Sequence, residues 1–194
     1  VSEASAFGDR KLSEEFNRLR KEVPEVVEHR QALRILRADF SYIRKYQDQS
    51  WVTLVSPGPD LSARFGLTRD VMLIYSPNHE LQPAALRQVP QRRGSLPNDR
   101  SCEDHFVIVS SNDPMAGRKL DSWMGDEPIL GVHLPRGGRP DALALGLRKE
   151  LLHKLASRNL YDETLPVTGS DFFGRREELT QLQEELRQGK VCGV

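Results

Sequence analysis

Little in this chain is extreme, and what is scarce narrows the reading first. Cysteine occurs twice in 194 residues, as Cys102 and Cys192, too far apart and too few to suggest a disulfide framework. A reduced, cytoplasmic protein is the expectation. No run approaches 18 consecutive apolar residues, so no membrane-spanning helix is predicted and no membrane partner is expected. Net charge is absent as well: 28 Lys and Arg balance 28 Asp and Glu, which gives no support to a general nucleic-acid binder. The Cys-x-x-Cys and His-Glu-x-x-His spacings of zinc sites do not occur, so no metal site is assigned. Neither does the Gly-x-Ser-x-Gly elbow of hydrolases. A restriction-type nuclease needs an acid followed by a strand bearing Glu-x-Lys; Asp60 and Asp70 are acids, but no such strand comes after them.

What is present is a chain with 38% apolar and 29% charged residues, polar for one compact domain yet far from disordered. Residues 1–10 are small and polar and are expected to fray. From Leu12 the apolar positions Phe16, Leu19, Val23 and Val26 keep helical spacing, and Leu33, Leu36, Phe40 and Ile43 continue it. This predicts a helical arm over 1–47, either packed on the α/β domain next to it in the chain or serving as a homo-oligomerisation surface.

Beyond residue 50 the pattern changes. Trp51–Val55, Val71–Tyr75, Phe106–Val109 and Ile129–Val132 are short apolar runs without alternation, the mark of strands buried on both faces. Segments at 61–65, 83–89, 114–124 and 140–160 between and after them suit helices. The fold class predicted is α/β: a small parallel or mixed sheet of about four strands with flanking helices, preceded by the helical arm. The α/β domain is placed at 48–160, with an exposed, mobile loop over 90–104 and a linker over 161–171.

Ligands of open α/β sheets bind beyond the carboxyl ends of the strands. Those ends carry Ser56–Asp60, Ser76–Glu80, Ser110–Asp113 and His133. The catalytic candidates are Ser110 or Ser76 as nucleophile, His79 or His133 as base, and Asp113 beside them. The same residue types also end strands and cap helices without any chemistry. Glu103-Asp104-His105 is a carboxylate-rich strand start, and Arg92-Arg93 and Arg136-Gly137-Gly138-Arg139 are basic loops able to touch a phosphate.

The last 25 residues are more specific. Phe173-Gly174-Arg175 forms a turn, Glu178-Leu179 and Leu182 fall on a helix after it, and Val191-Cys192-Gly193-Val194 reads as the start of a buried strand. This series resembles the opening of the P-loop ATPase module in STAND-type and related AAA-like proteins of signalling and antiviral defence. The resemblance covers about residues 170–194. It implies that 172–194 begins an ATPase domain whose remainder is a partner of this region. It also implies that Phe173, Gly174 and Arg175 lie on the adenine side of a nucleotide site, and that the parent protein uses ATP and Mg. The Gly-Lys-Ser/Thr loop of that family is absent from these residues, so the chain alone is expected not to hydrolyse ATP. The function so implied is that of an accessory or regulatory region. The rivals are an effector enzyme acting on a nucleotide or nucleic acid at the strand ends, and an oligomerisation module.

Overall fold

The computed structural model describes residues 3–157 apart from Gly66, Gly125 and Pro128. The linker at 161–171 and the ATPase-like segment at 172–194 lie outside the described residues. The elements run α1 (Glu3–Glu22), α2 (Val26–Ile35), β1 (Asp39–Lys45), β2 (Trp51–Ser56), α3 (Pro59–Phe65) and β3 (Val71–Tyr75), then α4 (Ala84–Arg87), α5 (Val89–Gly94), β4 (Phe106–Ser111), α6 (Ala116–Ser122), β5 (Leu130–Pro135) and α7 (Pro140–Ser157). The α/β class holds, with five strands in place of about four.

The sheet is mixed and its spatial order is β1-β2-β3-β4-β5. β2 is antiparallel to both β1 and β3, while β3, β4 and β5 are mutually parallel. Because the strands are apolar on both sides, two separate cores form. On one face Trp51, Val55, Leu73, Tyr75, Phe106 and Ile108 meet the helices α1, α2, α3 and α7. On the other, Val52, Leu54, Met72, Ile74, Val107 and Val109 meet α4, α5 and α6. Each fully buried Leu, Ile, Val or Met here contributes about 1.5–3 kcal/mol through removal from water. Both parallel crossovers put their helices on the second face, as crossovers of one hand must while a sheet grows in one direction.

The N-terminal region departs from the expected arm. α1 starts at Glu3, so helix occupies most of the stretch expected to fray. Residues 39–45 are a strand, not the end of a helix. Phe40 and Ile43 continue the spacing of Leu33 and Leu36, but they reach the core from a strand whose register shifts between Phe40 and Tyr42. Positive φ at Arg37 (57°) breaks the helix before it can continue. Asp39 then fixes the new direction: its carboxylate accepts Arg30 Nε at 2.7 Å, Arg34 Nη2 at 2.9 Å and the Phe40 amide at 2.8 Å. Leu19, Val26 and Leu33 of the two helices, and Val23 between them, are buried in the domain's own core. The apolar stripe that could have served for oligomerisation is therefore taken up inside the fold. Trp51 Nε1 donates to Glu22 at 2.9 Å and Lys45 pairs with the same carboxylate at 2.8 Å, which ties α1 to the first hairpin.

The stretch expected as a mobile loop over 90–104 begins as helix α5, whose Arg92 is buried. Asp48, in the β1–β2 turn, draws that arginine inward by pairing with it at 2.6 Å. α7 falls in the segment expected to be helical and carries Leu143, Leu147 and Leu151, spaced four residues apart, into the first core.

Candidate functional site

The carboxyl ends of β3, β4 and β5 stand side by side, with Tyr75 level with Ser110 and Ser110 level with Leu134. Side chains alternate between the faces of a strand, and this alternation divides the sequence candidates. Ser110 continues the series of Phe106 and Ile108 onto the α1–α2–α7 side. His133 lies between Val132 and Leu134, which face that side, and so points the other way. The geometry at Gly117 of α6 agrees: a Cβ placed there would sit 3.4 Å from His133 Nδ1. Nucleophile and base candidate are on opposite faces of the sheet. His79 is exposed on the loop after β3, and Ser76 is buried with its amide donating to the Ser110 carbonyl at 2.9 Å.

Asp113 is on the α6 side and is fully engaged. It accepts the Leu81 amide at 2.9 Å and the Met115 amide at 2.8 Å, and it pairs with Lys119 at 2.8 Å. The Lys119 ammonium, and after it those two amides, pull its carboxyl down to about 2. Asp113 thus holds the loops after β3 and β4 together, as a permanently ionised anchor that offers nothing to a catalytic histidine.

Beside Ser110 the structure assembles a group that the sequence candidates did not include. His29, from α2, is fully buried against Tyr75. Its Nε2 lies 3.0 Å from the Pro135 carbonyl, and its Nδ1 lies 3.3 Å from the Tyr75 hydroxyl. A carbonyl only accepts, so Nε2 carries the proton. Desolvation lowers the His29 pKa, so the ring is neutral at pH 7 and Nδ1 accepts the Tyr75 O–H. Desolvation likewise pushes the Tyr75 phenol up, out of the titratable range. Arg136 closes the end of this layer by donating Nη2 to the Ser76 carbonyl at 2.7 Å. The Ser110 hydroxyl and Arg136 Nε are buried without a hydrogen-bond partner. Since both nitrogens of His29 are engaged, no base is free for Ser110. The group is suited to fixing α2 on the ends of β3 and β5.

The remaining candidates are dispersed. Glu103 Oε1 accepts the amides of Thr68 at 3.0 Å and Arg69 at 3.1 Å. Asp104 pairs with Arg69. Arg139 is exposed and paired with Asp141 at 2.8 Å. Asp70, one of the acids weighed for a nuclease, accepts the hydroxyls of Ser41 and Ser56 just before β3. The β3 residues behind it, Val71–Tyr75, are all buried, and none is a carboxylate or lysine. Among the described residues no three His, Cys, Asp or Glu side chains converge. Phe173, Gly174 and Arg175 lie outside the described residues.

Fold and strand ends together define an α/β/α sandwich on a mixed sheet, with Asp113 and His29 bonded internally at its carboxyl edge. No protein-family model, curated protein or solved structure matches the chain.

Proposed function

We propose that residues 3–157 form an accessory, regulatory module of a STAND-like signalling or antiviral-defence ATPase, working through binding and change of state and without catalysis of its own. The observation that carries this reading is the separation of Ser110 and His133 onto opposite faces of the sheet, with Asp113 engaged elsewhere. The connection to the ATPase rests on the resemblance at 170–194. Helix α7 is the coupling element, since it leads toward that segment. Its Lys154 is 1% exposed and bonds Asp121 of α6, although α6 and α7 pack on opposite faces. That bond binds α7 to both layers, so a displacement of α7 would be felt by both.

The test is an activity comparison on the purified 194-residue chain. Hydrolysis of ATP, of other nucleotides and of nucleic acid is measured for the wild type, Ser110→Ala and His133→Ala. All three are expected to match the buffer blank. Turnover that disappears in either variant would establish the rival effector-enzyme reading instead.

A further inference from the structure

Arg92 presents a feature that its place in the fold does not explain. Its side chain is only 5% exposed, and Nη2 is bonded to Asp48 at 2.6 Å and to Gln88 Oε1 at 2.8 Å. Its other terminal nitrogen, Nη1, is buried without any acceptor. A buried guanidinium donor left unmet is costly, and native proteins rarely leave one.

Two recesses adjoin this side chain. One, of about 360 Å³, is lined by Arg44, Lys45 and Arg92 with Asp48 as its single carboxylate. The other, of about 210 Å³, shares Asp48, Gln88 and Arg92 with the first and adds Ile74, Ala84 and Ala85 with the amides of Asn78 and Gln82. Both lie at the carboxyl ends of β1 and β3, where ligands of such sheets bind. The walls are held in place. Tyr46 bonds Ser95 Oγ at 2.8 Å, the Arg44 and Arg92 guanidinium carbons stand 5.3 and 5.5 Å from its ring centre, and Arg44 donates to the Ser95 carbonyl at 3.2 Å.

We propose that this double recess binds a nucleoside monophosphate, the phosphate meeting Arg92 Nη1 in the basic half and the base lying against Ile74 and the amides of Asn78 and Gln82 in the other. A phosphate oxygen supplies the acceptor that Nη1 lacks, and the surplus of cations offsets its charge. The half-apolar second recess suits a base, whose edge the two amides can read by donating and accepting. The site lies apart from Ser110 and His133 and does not depend on the ATPase reading.

Isothermal titration calorimetry at low salt tests it with four probes: AMP, GMP, inorganic phosphate and adenosine. One nucleotide is expected to bind at one site, inorganic phosphate more weakly and adenosine not measurably. Arg44→Gln, an exposed position, is expected to weaken nucleotide and phosphate alike by about fivefold, the loss of one screened charge contact. Arg92→Lys keeps the charge but loses the fork and is expected to weaken both by roughly tenfold. Gln82→Ala is expected to weaken the nucleotide and leave phosphate unchanged. No binding by any phosphate-bearing probe, or binding indifferent to Arg44→Gln, overturns the site. Phosphate binding as tightly as the nucleotide overturns the role of the second recess.

Discussion

Removing one hydroxyl tests the buried chain from Pro135 through His29 to Tyr75. Tyr75→Phe leaves the ring stacked on His29, whose centroid lies 5.6 Å away, and deletes only the group facing Nδ1 at 3.3 Å. The imidazole cannot turn its other nitrogen to the gap, because Nε2 is held by the Pro135 carbonyl. Nδ1 therefore becomes a buried acceptor without a donor, with no route to water at a fully buried residue. Such a group costs about 1–3 kcal/mol, and the long bond places this one at about 1–2 kcal/mol. With a urea m value of about 2 kcal/mol/M, the unfolding midpoint falls by roughly 0.5–1 M. Trp51, fully buried beside Tyr75 in the sheet register, reports the transition by fluorescence. The decisive comparison is made in a His29→Leu background. There the hydroxyl is already a buried donor without an acceptor, so Tyr75→Phe should be neutral or stabilising, by up to about 1–2 kcal/mol. An equal cost in both backgrounds, or none in the wild type, would refute the bond and with it the tautomer assigned to His29.

Burial also lowers the pKa of His29 from 6.5, so as pH falls below that value the unfolded chain binds a proton that the folded chain refuses. Stability should then decline with falling pH by up to about 1.4 kcal/mol per unit, with His133, also lowered by desolvation, acting in the same sense; urea titrations at pH 7.5, 6.5 and 5.5 should show a flatter profile for His29→Gln. In thermal melts Gly58→Ala, which would set a Cβ 2.1 Å from the Arg37 carbonyl oxygen, a backbone atom in a turn with positive φ, should destabilise by about 1–3 kcal/mol; Gly94→Ala, with open space at that position, should be neutral or slightly stabilising.

The strands that could be read from sequence were those whose burial on both faces leaves an unbroken apolar run. β2, β3 and β4 have this form, whereas β5 carries the run only as far as Val132, before His133 interrupts it. β1 could not be read the same way. It is an edge strand with an irregularity at Phe40/Tyr42, so its alternation is broken just where the spacing from Leu33 imitates another helical turn. At the strand ends, sequence reasoning found the right edge of the sheet but not the grouping. Which face Ser110 and His133 occupy depends on where each strand begins, and element boundaries are the least legible feature of a sequence. His29 did leave a trace, since it falls between Val26 and Leu33 on the apolar stripe of α2, but its partners are 46 and 106 residues away. Arg92 was legible only as half of a basic pair able to touch a phosphate from an exposed loop; its burial depends on the Asp48 turn, 44 residues away.

The strand order has a consequence for how the molecule is made. Every strand in the sheet pairs with its immediate predecessor in the chain, so no strand has to insert between two that are already joined. On a ribosome, each new strand finds its template already exposed as the growing edge, and the sheet can lengthen in the order of synthesis. The last of the described elements to arrive, α7, closes the first core over a completed sheet. Until then Val132 and Leu134 of β5 remain uncovered by it, which makes the interval before α7 emerges the stage at which a nascent chain most needs protection from aggregation.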